Sequence, residues 1–446
     1  MKKKYQLGRK NHGVTRREFL WLTSMATAGV VVGCATNPVT GKSQLMLMSE
    51  QQEIEIDKNY SPVQFSTDYG KVQDPALSAY IQKTGKRMTG QTHRPQMPYS
   101  FQVVNATYIN AYAFPGGSIA ITRGILLSID NEAELAALMG HELGHVNARH
   151  TAQQMSKGTL TQAVIGGLTV ATGATLGSGA GQLTSQLGMI SAGALLASYS
   201  RDNEREADAL GLEYMVGSGY GADGFVGLMD MLNSQSKSNH SAIELMFATH
   251  PMSAERYQTA VENVQNRYKS DRNKPLYRER YMDNISGLRR IEGAIDAMQK
   301  GEKELMSKKH KEAESQFNRA LKIAPNDYTA LVMMSKCQFL KEDWAKTQRY
   351  TTRAKKVYPG EAQSWQISGI VNLKTKNFEA AYSDFDQYDK LLPGSPKTIF
   401  FKGYAMEGMG KRDDAANYYY RYIQMTQQGK EAQYAYQRLQ EWGYIR

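Results

Sequence analysis

His141-Glu142-Leu143-Gly144-His145 lies in the middle of a stretch with helical character. Asn131 and Glu134 fit an N-cap and the residue three positions later that reaches back to it. Leu135, Leu138 and Met139 supply an apolar stripe, and no proline follows until Pro251. Residues four apart on a helix sit one above the other on the same face. The spacing therefore predicts that His141 and His145 aim two imidazoles at one metal ion. Glu142, one residue round, then reaches a water activated by that ion. A metal such as zinc lowers the pKa of water, and a glutamate beside it takes the proton and later hands it to a leaving amine.

Such a site needs a third protein ligand and one open position. The candidate lies in Ser200-Arg201-Asp202-Asn203-Glu204-Arg205-Glu206-Ala207-Asp208, a run of good helix formers behind a serine and an aspartate suited to capping. Glu204 and Asp208 are four apart. One face thus offers a carboxylate to the metal and a second behind it, placed to accept a ring N–H from a ligand histidine. Taken alone, Glu204 reads equally as one member of a solvated charge cluster with Arg201, Arg205 and Glu206. Two histidines and a carboxylate favour zinc, one ion per chain.

The pair H-E-x-x-H and, downstream, S-R-x-x-E-x-E-A-D resembles the zinc metallopeptidases that include HtpX and the CAAX-prenyl proteases. Asn110-Ala111-Tyr112-Ala113-Phe114-Pro115-Gly116-Gly117, followed by Ile119-Ala120-Ile121-Thr122-Arg123-Gly124, is similar to that family's strand segment ahead of the catalytic helix. Thr249-His250-Pro251, with Arg256 six residues after the histidine, is similar to its late loop. The repeats described below narrow the likeness to the branch of BepA-like periplasmic β-barrel assembly-enhancing proteases. The resemblance implies His141, His145 and Glu204 as zinc ligands and Glu142 as general base and acid. It further implies that His250 approaches the metal as an extra ligand, holds the enzyme inactive and, once released, stabilises a developing oxyanion. Arg256 is the lesser candidate for that last task. The alternative for His250 is a loop histidine with no catalytic part. His93, His150 and His240 match no motif and read as surface or core residues.

The N-terminus stands apart from the fold. Residues 1–18 carry Lys2, Lys3, Lys4, Arg9, Lys10, Arg16 and Arg17, and Phe19 to Gly33 is uncharged, of signal-peptide length and too short for a comfortable membrane span. Val31-Val32-Gly33-Cys34 looks like a lipobox with Cys34 as the lipidated residue, and Thr15-Arg16-Arg17-Glu18-Phe19-Leu20 resembles a twin-arginine export signal. Ala35 resembles the outer-membrane sorting residue. The expectation is a periplasmic protein anchored by lipid to the outer membrane. Cys337, the second cysteine, then has no internal disulfide partner and reads as a core thiol. The formal charge of +11 is partly the leader's; without it, 47 basic residues face 42 acidic ones, a net +5. That is no nucleic-acid footprint, and it suits a protein held near an anionic membrane surface.

The expected divisions are a leader over 1–33, a turn-rich tether over 34–48, a metallopeptidase domain over 49–285 and a repeat domain over 286–446. Ser49 to Lys86 reads as helices broken at Pro62 and Pro75, and Phe101–Val104 and Ile119–Thr122 read as strands. Asn110 and Tyr112 are the candidates for an edge that binds extended substrate through its backbone. Gly158 to Ser200 contains no charged residue, and glycines interrupt its apolar runs. It reads as a mobile helical hairpin over the cleft, with membrane contact or disorder as alternatives.

Pro325, Pro359 and Pro393 are spaced by 34, as are Ala313, Thr347, Ala381 and Ala415; Gly301, Gly369 and Gly403 share the register with Phe317, Phe385 and Tyr419. This period is that of tetratricopeptide repeats, here four units and a last helix. The tyrosines of the fourth unit (Tyr418, Tyr419, Tyr420, Tyr422) read either as a concave binding surface or as a cap buried on the metallopeptidase domain. The fold class expected is mainly α, with an α+β zincin-like domain holding a small sheet, followed by an α-solenoid. The function expected is zinc endopeptidase action on misfolded or stalled outer-membrane proteins, with the repeats binding the β-barrel assembly machinery. An assembly chaperone or adaptor with a latent or structural metal site is the alternative from another class, and a membrane-embedded CAAX-type protease is weakened by the absence of a clean spanning segment.

Overall fold

A computed structural model describes residues 34–41, 43–156, 199–236 and 241–446. The leader, His240 and nearly all of the uncharged 158–200 stretch lie outside the described residues. Two compact units result, one ending at Lys303 and the other Glu304–Arg446. This division falls later than residue 285 because the helix that begins at Glu292 is tied into the first unit, Gln299 Nε2 donating to Thr107 O at 2.6 Å.

The first unit opens on a hairpin, β1 (Cys34–Thr36) antiparallel to β2 (Ser43–Leu45), within the segment expected as a turn-rich tether. Asn37 makes the turn by accepting the Val39 and Thr40 N–H groups on its Oδ1. Helix α1 (Glu50–Thr67) runs unbroken through Pro62, contrary to the expected break. Pro62 and Lys58 both lie on its exposed side, so water can take up the Lys58 carbonyl that Pro62 leaves without a helical donor. Helix α2 (Pro75–Thr89) begins at Pro75 behind an Asp74 cap.

Strands β3 (Ser100–Val104), β4 (Ala111–Ala113) and β5 (Ser118–Thr122) form one sheet in the order β3-β5-β4. β3 pairs parallel with β5 in the register Phe101↔Ile119, and β4 pairs antiparallel with β5 in the register Tyr112↔Ala120. Gly117, at φ +102°, makes the turn between β4 and β5.

After α3 (Arg123–Ser128) comes α4 (Glu132–Asn147), buried along its whole length, then a helical stretch over residues 150–156. Helices α5 (Arg201–Gly217), α6 (Asp223–Ser236), α7 (Glu244–Thr249), α8 (Ala254–Gln265), α9 (Arg278–Asn284) and α10 (Ser286–Arg290) complete the unit. α4 and α5 meet through residues without bulk. A Cβ on Gly140 would lie 2.7 Å from Gly211 O, and one on Gly144 would lie 2.8 Å from Ala207 O. No other residue type permits this approach.

Helix α11 (Glu292–Met306) spans the division between units. The solenoid continues with α12 (His310–Ile323), α13 (Tyr328–Leu340), α14 (Trp344–Val357), α15 (Gln363–Lys374), α16 (Phe378–Leu391), α17 (Pro396–Gly408), α18 (Arg412–Met425) and α19 (Lys430–Glu441). These helices follow the 34-residue period of the sequence, and the prolines at 325, 359 and 393 fall just after α12, α14 and α16. Ala313, Thr347, Ala381 and Ala415 are all fully buried. Gly369 and Gly403 admit the rings of Phe385 and Tyr419, each about the closest approach a missing side chain allows. Tyr419 and Tyr422 are buried within the solenoid's own end, in one core cluster with Phe400, Ala435 and Leu439, so these two pack the repeat itself. Cys337 is fully buried, and burial pushes its thiol up to about 11. Among the described residues, no helix is long and apolar enough to cross a membrane.

The α4–α5 contact gives a direct test. Gly144→Ala gains about 1 kcal/mol of helix propensity, but overpacking against the Ala207 backbone costs about 1–3 kcal/mol. Urea unfolding should show a lower midpoint; an unchanged or raised one would contradict the packing described.

Candidate metal centre

The N-terminus of α4 is fixed before its chemistry begins. Asn131 accepts the Glu134 N–H at 3.0 Å, and Glu134 reaches back to the Asp130 N–H at 2.8 Å. Buried Glu132 accepts from Tyr80, Tyr220 and both Nε and Nη2 of Arg280. At the far end Arg94 holds the Val146 carbonyl at 2.9 Å and, through its own N–H, the Asn147 side chain at 2.8 Å. α5 starts at a capping box between Ser200 and Asn203. With both helices anchored and in close contact, the side chains on their facing surfaces have little freedom.

His141, His145, Glu204 and His250 converge there, all buried, with one ligand atom from each lying within 4.8 Å of the others. His141 Nε2 and His145 Nε2 are 3.0 Å apart. Glu204 Oε1 lies 3.4 Å from His145 Nε2, and Oε2 lies 3.5 Å from His141 Nε2. His250 Nδ1 lies 3.0 Å from Glu204 Oε1 and 3.4 Å from His141 Nε2. A tetrahedral zinc with bonds of about 2.0–2.1 Å sets its ligand atoms about 3.3 Å apart, so the spacing suits the ion. The nitrogens on the far sides of the rings are taken: His141 Nδ1 is 2.8 Å from Asp208 Oδ1, and His145 Nδ1 is 2.9 Å from His150 Nδ1. Two imidazole nitrogens 3.0 Å apart beside a carboxylate suit a shared cation. The donor set fits zinc.

Beside this cluster, Glu142 is 1% exposed, and neither of its carboxylate oxygens has a hydrogen-bond partner among the described residues. Burial pushes its carboxyl above the ordinary range, with the charges of His250 and His141 pulling the other way. Glu204 is driven far below its range: burial opposes this, but the charge of His250 and hydrogen bonds from His145 and His250 outweigh it. His145 is held well below the usual histidine value by burial.

Asp208 lies behind His141, as its i+4 spacing from Glu204 predicts. The task implied for Arg256 is replaced by another. Its Nε and Nη2 grip the two oxygens of Asp208 at 2.7 and 2.8 Å, and Nη1 lies 2.9 Å from Pro251 O and 2.7 Å from Glu204 Oε2. All three nitrogens serve the carboxylates and the loop that carries His250, so Arg256 positions ligands and does not face a substrate oxyanion.

His150 is a fully buried core residue, one of the two expected readings, but it also meets the site: it touches His145 through Nδ1 and places Nε2 3.2 Å from Glu206 Oε2. Tyr199 was also missed; its ring stacks on His145 at 3.8 Å between centroids, and its N–H donates to Thr249 O. A motif scan has no rule for either residue, although the histidine just past the end of the H-E-x-x-H helix was visible. His93, by contrast, meets the Tyr214 hydroxyl at 2.7 Å. Of the substrate-edge candidates, Tyr112 is a core residue whose hydroxyl donates to Asp68, and Asn110 is fully buried with its side-chain amide lacking a hydrogen bond among the described residues. Strand β4, which holds Tyr112 and begins directly after Asn110, is nevertheless an edge of the sheet among the described residues. The side chain of Cys34 lies outside the described residues.

Residues 75–264 match the model of peptidase family M48. The metalloprotease YcaL of Escherichia coli K12 is 31% identical over 205 residues, 46% of this chain and 73% of that protein. The chain belongs to peptidase family M48. The β-barrel assembly-enhancing protease of Yersinia pestis is 29% identical over 230 residues, 51% of this chain and 46% of the relative. The metalloprotease LoiP of E. coli K12 is 27% identical over 254 residues, 53% of this chain and 93% of that protein. The chain's match thus spans about half the length of the β-barrel assembly-enhancing protease.

Removing the Arg256 charge should leave Asp208 and Glu204 uncompensated. Arg256→Met is expected to cost about 3–5 kcal/mol in chemical unfolding, and Arg256→Lys, which keeps the charge but not the fork, less. Equal losses for the two would show that the bidentate grip on Asp208, and not the charge, matters.

Proposed function

We propose that the chain is a zinc-dependent endopeptidase of the periplasm, anchored to the outer membrane by a lipid on Cys34, that cleaves extended segments of misfolded or stalled outer-membrane proteins. Its repeats bind partners belonging to the β-barrel assembly machinery. Glu142 carries the catalytic part of this reading: a buried carboxylate with no hydrogen-bond partner among the described residues, set beside four metal donors, has no use in a purely structural site. The leader pattern supports the location, and the names of the relatives support the client class.

Zinc held by His141, His145 and Glu204 would supply Lewis acidity toward a peptide carbonyl and lower the pKa of a water molecule. The outer edge of β4 pairs with an extended peptide through backbone hydrogen bonds, which suits clients of varied sequence. Glu142 takes the proton of the attacking water and delivers it to the amide nitrogen as the C–N bond breaks. Asp208, itself fixed by Arg256, keeps the proton of His141 on Nδ1 and its lone pair turned inward.

His250 occupies the fourth donor position and holds the site shut. This closure favours a second reading, a chaperone or adaptor whose peptidase is latent. Casein digestion by the full chain separates the two. Glu142→Gln should lower the rate at least about 100-fold with zinc still bound, and His250→Ala should raise it. In cells, Glu142→Gln should abolish clearance of stalled clients; if clearance and barrel assembly both persist, peptidase activity is not the protein's role.

A further inference from the structure

The turn after α4 does something that an uninterrupted helix could not. Five residues on from His145, a helical side chain would point about 140° away round the axis. Arg149 instead adopts φ +61°. It is held there by Nε on Glu53 at 3.1 Å and Nη2 on the Met48 carbonyl at 2.7 Å. The reversal brings His150 back against His145, ring centroids 5.0 Å apart and nearly perpendicular. Tyr199 stacks on the face of the same ring, so His145 is fixed from two directions.

The order of donors along this contact has one solution. If His145 turns its Nε2 lone pair to a metal, its proton sits on Nδ1. His150 Nδ1, 2.9 Å away, must then accept, which leaves the His150 proton on Nε2. That nitrogen lies 3.2 Å from Glu206 Oε2, which can only accept. His141 has a different backing, a carboxylate in direct contact whose charge Arg256 offsets.

We propose that His150 and Glu206 form a relay that fixes the tautomer of His145 and sets the affinity of the centre for zinc. This rests on the zinc reading above and assigns a positioning role that no motif marks. The relay involves no net proton transfer: it orders which nitrogen donates at each contact, His145 Nδ1 to His150 Nδ1 and His150 Nε2 to Glu206 Oε2.

The test is zinc binding to the full chain in competition with a chromogenic chelator, read beside the thermal midpoint of the metal-free protein. His150→Leu, which fills the space without an acceptor, should weaken zinc binding about 10- to 100-fold. His150→Asn, whose Oδ1 replaces the accepting Nδ1, should recover most of that loss. Glu206→Gln should weaken binding less than His150→Leu while leaving the metal-free midpoint unchanged, and it carries the test if the buried His150 variants do not fold. Wild-type affinity in His150→Leu, equal loss in the leucine and asparagine variants, or unchanged affinity in Glu206→Gln would each overturn the relay. A wild-type chain that takes up no zinc, as His141→Ala should not, would overturn the metal reading itself.

Discussion

The backbone contact between α4 and α5 at Gly140, Gly144, Ala207 and Gly211 is the constraint on which the rest of the centre depends. Ligand atoms about 3.3 Å apart must come from two helices, and short side chains such as Glu and His reach one point only if the helix axes are unusually close. Small residues at those crossing positions set that distance. Glu204 precedes Ala207 by three residues and Asp208 follows it, while His141 and His145 flank Gly144. The same contact therefore places the ligand carboxylate in front of the histidines and the supporting carboxylate behind. Pairing histidines and carboxylates without this approach would leave buried charges unpaired, at a cost of several kcal/mol each.

Around that contact the charges form two layers with different duties. Glu132, Glu53, Arg94 and Arg280 lie at the ends of α4, each engaged by partners that fix where the helix starts and stops. Asp208 and Arg256 stand close behind the ligands and transmit that rigidity to the rings. The loop carrying His250 is tied to the same arginine through the Pro251 carbonyl. A backbone movement of this loop that withdraws His250 would disturb a bond to Arg256, the residue that holds Asp208 and Glu204. The fourth donor and the ligand supports are thus mechanically linked.

What could be read from the sequence was what depends on local spacing. The i, i+4 histidines, the Asn131 cap, the Glu204–Asp208 pair and the 34-residue period are all set by helical geometry, which a linear pattern records. Tertiary contacts were not legible. Arg256 differs from any other loop arginine only through its neighbours in space, and His150 acquires its place from a left-handed residue and a buried glutamate nearly a hundred positions away. Pro62 misled because its effect depends on which side of α1 faces water. Tyr112 misled in the opposite sense: it lies on an edge strand as expected, but its side chain points into the core formed by Phe65, Phe114 and Ala120.

The central claim is that His141, His145 and Glu204 hold zinc and that His250 closes the fourth position. X-ray absorption at the zinc edge tests it most directly, on the full chain and on His250→Ala. The account predicts three imidazole nitrogens and a carboxylate oxygen at about 2.0–2.2 Å in the first. In the variant, one imidazole should be replaced by an oxygen while two remain. An identical shell in both proteins would contradict the closure by His250, and a shell with fewer than two imidazoles in the wild type would contradict the site.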